Sequence, residues 1–263
     1  MIDLEDALVV AITAAKKAGD RILKGFEEDL HIDTKGDPVD RVTQVDLDCQ
    51  QIIIETIHKK FPDHICIGEE TIPNQPTIHP PPVISKKPTW IIDPLDGTSN
   101  FIKRLPHCGT SIGLQVDGEV VLGVIHFPVF GWTYTAVKGG GAYRNNKRIH
   151  VSACTRLQDA MIAECYSDRI HRGKNVLFPP ALAYRKFGSA ITSLAWTADG
   201  RIDGTGLLCY PWDIAAARVI IPEAGGILSW ESEDATGGRE AVRCIASCAE
   251  IHTELQSFVK QAV

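Results

Sequence analysis

The first seventy residues alternate apolar and polar positions mainly with the period of an α-helix. Between residues 4 and 26 an apolar residue recurs at every third or fourth position, which predicts one long amphipathic helix. A second helix should begin near Thr43, whose hydroxyl can cap it, with Asp46 at the third helical position. The short apolar run 65–68 then predicts a strand, which ends at Glu69 and Glu70.

The middle of the chain alternates with the period of two that is typical of strands. Asp117-Gly118 and Asn145-Asn146 are turn signals between such runs, so we expect an antiparallel meander of hairpins. The predicted strands are 110–116, 119–127, 132–137 and 142–151.

After Ser152 the pattern changes to alternating strands and helices. The predicted strands are 161–165, 227–230 and 244–247, and the predicted helices are 189–197, 213–224 and 252–263. Asp213 is the expected cap of its helix, and Gly225-Gly226 should end it, with Pro222 kinking or shortening the last turn. We therefore predict an α+β first half, residues 1–152, and an α/β second half, residues 153–263, with the site between them.

Two segments do not follow either period. Six prolines stand between residues 72 and 89, which excludes a helix or central strand and predicts a loop or flap. The segment 167–174 is polar and basic, and it follows the predicted strand 161–165.

Composition and charge restrict the classes of function. The chain has 263 residues, of which 44% are hydrophobic and 23% charged, as in ordinary globular proteins. Its net charge of −6 argues against nucleic-acid binding, and no apolar run approaches the roughly 20 residues of a membrane helix. Acidic residues stand where a signal peptide would be basic, and the eight cysteines form no Cys-x-x-Cys pair. These features predict a cytoplasmic protein.

The candidate chemistry centres on the stretch 89–101. Residues 89–92 read as a buried strand with Asp93 at its carboxyl end, and Pro94 is expected to stop the ladder because it has no N–H to donate. Asp96-Gly97 then makes a turn, and Thr98 or Ser99 can cap a following helix. Two carboxylates beside helix amides suit a divalent metal with a phosphate, although an acidic surface turn would have the same sequence.

Further acidic residues follow other predicted elements. Glu69 and Glu70 follow the strand 65–68, Asp213 begins a helix, and Lys35 and Asp46 lie upstream. Oxygen ligands at several element ends, with no His or Cys among them, suit Mg²⁺ better than zinc. Because Mg²⁺ takes few protein ligands and binds substrate phosphate, this set predicts a phosphoryl-transfer site.

These residues resemble the inositol monophosphatase family of lithium-sensitive, magnesium-dependent phosphatases. The matching motifs, in order along the chain, are Asp46, Glu69-Glu70, Asp93-Pro94-Leu95-Asp96-Gly97-Thr98, and Trp212-Asp213 followed by Gly225-Gly226. The resemblance implies a layered αβαβα sandwich of the inositol monophosphatase and fructose-1,6-bisphosphatase type. It also implies a homodimer and a site with two or three Mg²⁺ ions.

The resemblance implies roles for individual residues. Thr98, bonded to Asp46, would orient the attacking water, with Glu69 as a further catalytic residue. The implied metal ligands are Glu69, Asp93, the Leu95 carbonyl, Asp96 and Asp213. The implied substrate-binding residues are Lys35, Asp96, Gly97, Thr98, Gly188, Ser189, Ala190 and Asp213. Several simpler interpretations stay open. Glu70 could be a solvated surface carboxylate or one that only supports the metal ligands, and Lys35 a solvated turn residue. Asp46 could be an ordinary first-turn acid, and Gly188-Ser189-Ala190 only the start of a helix.

The chain departs from the family in its expected substrate contacts. Many members carry a hydroxyl-binding Glu seven residues before the Trp-Asp aspartate, and that position here is Gly206. Asp203 or Glu164 could replace it. We therefore expect hydrolysis of a small phosphomonoester, most simply inositol monophosphate. Histidinol phosphate, fructose 1,6-bisphosphate and 3′-phosphoadenosine 5′-phosphate stay open, as does a non-catalytic regulatory protein on the same fold.

Overall fold

The computed structural model describes residues 2–34, 41–71, 87–166, 180–234 and 240–261. The helices are α1 (Leu4–Gly25), α2 (Gln44–His58), α3 (Thr98–Ile102), α4 (Ala190–Ala198), α5 (Pro211–Ile214), α6 (Ala217–Glu223) and α7 (Ala249–Gln261). The strands are β1 (Ile32–Thr34), β2 (Arg41–Thr43), β3 (Ile65–Gly68), β4 (Thr89–Asp96), β5 (Gly109–Val116), β6 (Glu119–Phe127), β7 (Trp132–Val137), β8 (Gly141–Arg144), β9 (Lys147–Arg148), β10 (Met161–Tyr166), β11 (Ala183–Arg185), β12 (Gly204–Cys209), β13 (Ile227–Asp234) and β14 (Glu240–Ser247).

In the described part of the chain the strands form two large sheets and a two-stranded ribbon of β1 and β2. The first sheet has the order β3-β4-β5-β6-β7-β8-β9, and only its β3–β4 pair is parallel. The second has the order β11-β10-β12-β14-β13, with β10 parallel to both of its neighbours. The predicted meander is thus confirmed, with its last strand divided at the Asn145-Asn146 turn.

Three apolar clusters show how helices and sheets are layered. One joins α1 and α2 to the face of β4, β5 and β6. The largest places α4 and α6 between the two sheets, and another packs α7 on the outer face of the second sheet. The order is therefore helix, sheet, helix, sheet, helix, which confirms the predicted αβαβα sandwich. The two sheets lie on either side of Ser152 in sequence, and the division at residue 152 stays a prediction.

The first two helices form where the pattern predicts them. Asp3 caps α1 by accepting hydrogen bonds from the amides of Glu5 and Asp6 at 2.9 and 3.2 Å. The buried face of α1 is mostly alanine, which lets this helix approach α2 and the sheet closely. Thr43 caps α2, and the Asp46 carboxylate accepts the Thr43 amide at 2.8 Å, so the predicted capping box is confirmed.

The structure corrects two predictions around the central motif. Pro94 does not stop β4, which continues to Asp96. The register with β5 shifts between Asp93 and Asp96, so Pro94 has no paired residue on β5 and its missing N–H leaves no gap in the ladder. The cap of α3 is not Thr98 or Ser99 but Gly97, at φ 78° and with no side-chain cap bond.

Three predictions in the second half need correction. The expected helix 213–224 is two helices, α5 and α6, and Tyr210 rather than Asp213 is the capping residue of α5. Strands β13 and β14 are longer than expected, at eight residues each. Strand β12, at the centre of the second sheet, was not predicted at all.

Candidate active site

Strand β4 carries the two central acidic residues, just before helix α3. Asp93 Oδ1 accepts the Leu95 amide at 3.1 Å across the register shift. This bond folds the turn so that Asp93 and Asp96 both lie at the end of β4, where both are buried. Gly97 must be glycine there, since a Cβ would lie 2.5 Å from the His107 carbonyl oxygen.

Helix α5 brings the third aspartate to the same place. Asp213 Oδ2 accepts the Tyr210 amide at 2.7 Å, which fixes the carboxylate at the first turn of the helix. Trp212 is buried against Ile91 of β4 and so anchors α5 on the sheet. One oxygen from each of Asp93, Asp96 and Asp213 lies within 4.8 Å of the others.

The electrostatics of this carboxylate cluster favour a cation. Burial raises the pKa values of Asp93 and Asp213 well above the ordinary range, and repulsion from the neighbouring acids raises them further. Burial also raises the pKa of Asp96 to about 6, against hydrogen bonds that lower it. The buried Asp93 Oδ2 has no hydrogen-bond partner within the described ranges. An oxygen-only donor set with an unpaired buried carboxylate oxygen fits Mg²⁺.

Helix α4 holds Asp96 from the other side. The Ser189 hydroxyl donates to Asp96 Oδ2, and the amides of Ala190 and Ile191 donate to the same carboxylate at 3.1 and 3.3 Å. Ser189 also caps α4 by accepting the Thr192 amide at 3.1 Å. Sequence reasoning placed Ser189 and Ala190 in a substrate wall. The structure gives both of them contacts with Asp96, which position that carboxylate.

The loop before α4 is tied to the central motif by Asn100, a residue that the sequence did not single out. Its side-chain amide donates to the carbonyl oxygens of His107 at 2.7 Å and Phe187 at 2.8 Å. The neighbouring Gly188 has φ 66° and lies beside Asn100. Asn100 therefore connects α3 to the start of α4.

Asp46 and Thr98 form the pair that the resemblance implies. The Thr98 hydroxyl lies 3.0 Å from Asp46 Oδ1 and 3.1 Å from the Leu95 carbonyl oxygen, so its proton can go to either acceptor. The other oxygen of the buried Asp46 carboxylate accepts the Thr43 hydroxyl at 2.6 Å. These contacts rule out the reading of Asp46 as only a first-turn acid.

Glu69 reaches the same region from β3. Its amide donates to the Ile92 carbonyl oxygen at 3.1 Å, next to Asp93, and its side chain is half-buried. Glu69 contributes to the raised pKa values of the aspartates in the cluster. Glu70 is buried and its backbone is bonded to α2, which rules out the solvated reading. Lys35, the loop 72–86 and the segment 167–174 lie outside the described residues.

Strand β12 decides which side chains face the site. Gly206, seven residues before Asp213, pairs with Ile245, which packs under α7. Alternate residues of a strand point to opposite faces, so Gly206 faces α7 and Leu207 faces α4, where it packs with Leu194. The α4 face of β12 thus presents an apolar residue at this level.

The two acids considered as substitutes have other surroundings. Asp203 Oδ2 accepts the Met161 amide at 2.6 Å, so this carboxylate is used at the start of β10. Glu164 lies opposite Gly206 in the backbone register of β10 and β12. Sequence spacing alone does not show either feature, because both depend on the pairing of the unpredicted strand.

Comparison with known proteins agrees with this geometry. A family model described as "Inositol monophosphatase family" matches residues 3–259. The tomato protein named Inositol monophosphatase 1 is 38% identical over 239 residues, covering 86% of this chain and 84% of that protein. The Escherichia coli protein named Nus factor SuhB is 37% identical, covering 88% and 86%. The solved structure of a Thermotoga maritima IMPase superposes with a TM-score of 0.80 at 30% identity, covering 98% of each chain. The chain belongs to the inositol monophosphatase family.

Proposed function

We propose that the protein is a Mg²⁺-dependent phosphatase that hydrolyses a small phosphomonoester of the inositol monophosphate type. The observation that carries the proposal is the cluster of Asp93, Asp96 and Asp213, in which Asp93 and Asp96 are buried and one Asp93 oxygen lacks a partner in the described chain. The hydrogen-bonded pair of the Thr98 hydroxyl and the Asp46 carboxylate lies beside it. The family and the relatives named inositol monophosphatase support phosphatase activity.

Asp93, Asp96 and Asp213, with Glu69 and the Leu95 carbonyl, would hold two or three Mg²⁺ ions. The bound ions would supply activation of water and neutralisation of charge on the phosphate. That the ion is Mg²⁺, and how many bind, rests on the oxygen-only donors and the resemblance.

The remaining chemistry belongs to the protein's own groups. With its proton donated to Asp46, the Thr98 hydroxyl can accept a hydrogen bond from the attacking water and orient it towards phosphorus. The amides of Gly97 and Thr98, at the start of α3, would donate to phosphate oxygens, which gain charge in the transition state. No covalent bond between protein and phosphate is required.

The substrate wall supports weak selectivity. Neither Gly206 nor Leu207 offers a carboxylate on the α4 face of β12, and Asp203 is bonded to a backbone amide. Loss of a charged hydrogen bond to a substrate hydroxyl costs roughly ten- to a hundredfold in specificity. We expect several phosphomonoesters to be hydrolysed at similar rates.

A panel of phosphate esters tests this proposal by phosphate release with and without Mg²⁺. The panel comprises inositol 1-phosphate, glycerol 2-phosphate, histidinol phosphate, fructose 1,6-bisphosphate and 3′-phosphoadenosine 5′-phosphate. A flat profile of kcat/KM supports the argument from β12, and a strong, stereoselective preference for inositol phosphate contradicts it. Millimolar lithium should inhibit by competing for a magnesium position. Release that is equal in chelator and in Mg²⁺ would refute the metal-dependent mechanism.

Assembly and location are also proposed from the family. We expect a homodimer, which light scattering on the purified protein would show, and a cytoplasmic location. Along the described chain, none of the helices is long and apolar enough to cross a membrane.

A second candidate is a regulatory protein that works without turnover. It is favoured by relatives at 37% identity that carry the name Nus factor SuhB. The presence of all the aspartates in the cluster favours catalysis instead. A protein without phosphate release on any ester of the panel, despite measurable Mg²⁺ binding, would support this second candidate.

A further inference from the structure

The side chain of Gln50, on α2, is bonded to both ends of one residue's backbone. Its Oε1 accepts the Glu70 amide at 2.9 Å, and its Nε2 donates to the Glu70 carbonyl oxygen at 2.7 Å. Gln50 is 3% exposed, so water does not compete for these bonds. The pair of bonds fixes both the position and the orientation of the Glu70 backbone.

The neighbouring Gly68 shows that this contact demands a specific shape. A Cβ at residue 68 would lie 2.0 Å from Gln50 Oε1 and 2.3 Å from its Cδ, far inside van der Waals contact. Glycine is required here by the space that the Gln50 amide occupies. Gln50 and Gly68 are therefore a matched pair, and any side chain at residue 68 would displace the amide.

The backbone is held by hydrogen bonds both at Glu69 and at the residue after it. On one side the Glu69 amide donates to the Ile92 carbonyl oxygen at 3.1 Å, one residue before Asp93. On the other side Gln50 holds the next residue, Glu70. The Glu69 side chain therefore leaves a backbone that is fixed relative to both β4 and α2.

Helix α2 supports two parts of the site from one face. Asp46 and Gln50 are four residues apart, about one helical turn, and both are buried. Asp46 bonds the Thr98 hydroxyl, and Gln50 bonds the backbone after Glu69. Helix α2 thus supports both Thr98, which is proposed to orient the water, and the backbone next to Glu69, whose carboxylate lies near the aspartates.

We propose that Gln50 is a positioning residue that places the Glu69 carboxylate for Mg²⁺ binding. This inference rests on the proposed function of the site. Residues that orient metal ligands typically contribute ten- to a hundredfold to metal affinity or activity. Without the Gln50 amide, the turn at Glu69 and Glu70 loses both of its hydrogen bonds to this side chain.

The test compares Gln50→Met with Asn145→Ala. Methionine keeps the length and much of the volume of glutamine but makes neither bond. Asn145 also bonds two backbone groups, the Thr133 amide at 2.8 Å and the Gly131 carbonyl at 2.9 Å, but at the turn between β8 and β9. It therefore controls for lost stability. Titration calorimetry of each chelator-treated protein with Mg²⁺ gives affinity, and thermal unfolding gives stability.

We expect both variants to lose stability and only Gln50→Met to lose Mg²⁺ affinity, by about tenfold or more. Mg²⁺ affinity of Gln50→Met equal to that of the wild type would overturn the inference. Equal loss in the two variants would also overturn it, because the effect would then follow stability alone. If wild-type protein binds no Mg²⁺, the proposed function fails, and this inference fails with it.

Gly68→Ala provides a second variant if Gln50→Met does not fold. Its added methyl group should displace the Gln50 amide while every side chain of α2 remains present. The same loss of Mg²⁺ affinity is expected, and unchanged affinity would contradict the role of the matched pair.

Discussion

Replacing Asp93 by asparagine should stabilise the metal-free protein and inactivate it. Oxygens of Asp93, Asp96 and Asp213 lie within 4.8 Å of one another. Two unit charges at that distance repel by about 3 kcal/mol at an effective dielectric constant of about 20. Asparagine keeps Oδ1 as the acceptor of the Leu95 amide and replaces the unpartnered, charged Oδ2 by an uncharged NH₂ group.

Burial raises the pKa of Asp93, and repulsion from Glu69, Asp96 and Asp213 raises it further. We therefore expect Asp93→Asn to raise the free energy of unfolding by about 2 kcal/mol in chelator, or Tm by roughly 4–8 °C. Loss of a ligand for the proposed ions should lower kcat by at least about a hundredfold. Added Mg²⁺ should stabilise the wild type and leave the variant unchanged.

Scanning calorimetry at pH 8, with chelator and then with Mg²⁺, measures the change in stability and the response to Mg²⁺. Asp203→Asn is the matched control, because its carboxylate accepts a backbone amide outside the cluster. Because asparagine keeps an oxygen that can accept the Met161 amide, this control should show no gain of stability in chelator and should keep its response to Mg²⁺. If Asp93→Asn lowers Tm in chelator, mutual repulsion does not dominate the cluster, and the inference of a cation site from its electrostatics is wrong.

Other predictions test single groups. Burial raises the pKa of Asp96 from 3.8 to about 6, so its contribution to metal-free stability, up to about 3 kcal/mol, is present below pH 4 and lost as pH rises through 6. Chelator-treated wild type should therefore lose Tm relative to Asp96→Asn between pH 4 and 7, and a relative gain would contradict this. Thr98→Ala should lower kcat by a larger factor than it changes KM, while Thr98→Ser retains activity. If Thr98 only binds substrate, steady-state kinetics would instead show a raised KM with little change in kcat. Ser189→Ala removes the cap of α4 and a hydrogen-bond donor to Asp96. The free energy of unfolding should fall by about 1 kcal/mol, and the acid limb of the pH–rate profile should move to higher pH. An acid limb at unchanged pH would show that the bond from Ser189 does not influence the titration of Asp96.

Local sequence signals were sufficient for the hairpins and the first two helices. The hairpins follow from alternation and turn residues, and the Thr43–Asp46 cap of α2 follows from four consecutive residues. Asp93 and Asp96 could be placed together because they flank one turn. In each case the interacting groups are close in sequence, so the pattern contains the information.

The parts that were missed depend on distant contacts. Strand β12 begins Gly-Thr-Gly, with low strand propensity, and forms because β10 and β14 pair with it on both sides. Ser189 reaches Asp96 across 93 residues of sequence, and no local pattern indicates that bond. The direction of Gly206 also depends on the register of β12, so counting back from Asp213 could not give the face on which it lies.

The central claim is that the clustered aspartates bind Mg²⁺ for hydrolysis of a phosphate ester. The most direct measurement is phosphate release from inositol 1-phosphate by chelator-treated protein, before and after Mg²⁺ is restored, with Asp213→Asn in parallel. We predict no release in chelator, full recovery with Mg²⁺, and at least a hundredfold lower kcat for the variant. Release by the wild type in chelator, or undiminished release by folded Asp213→Asn, would contradict the account.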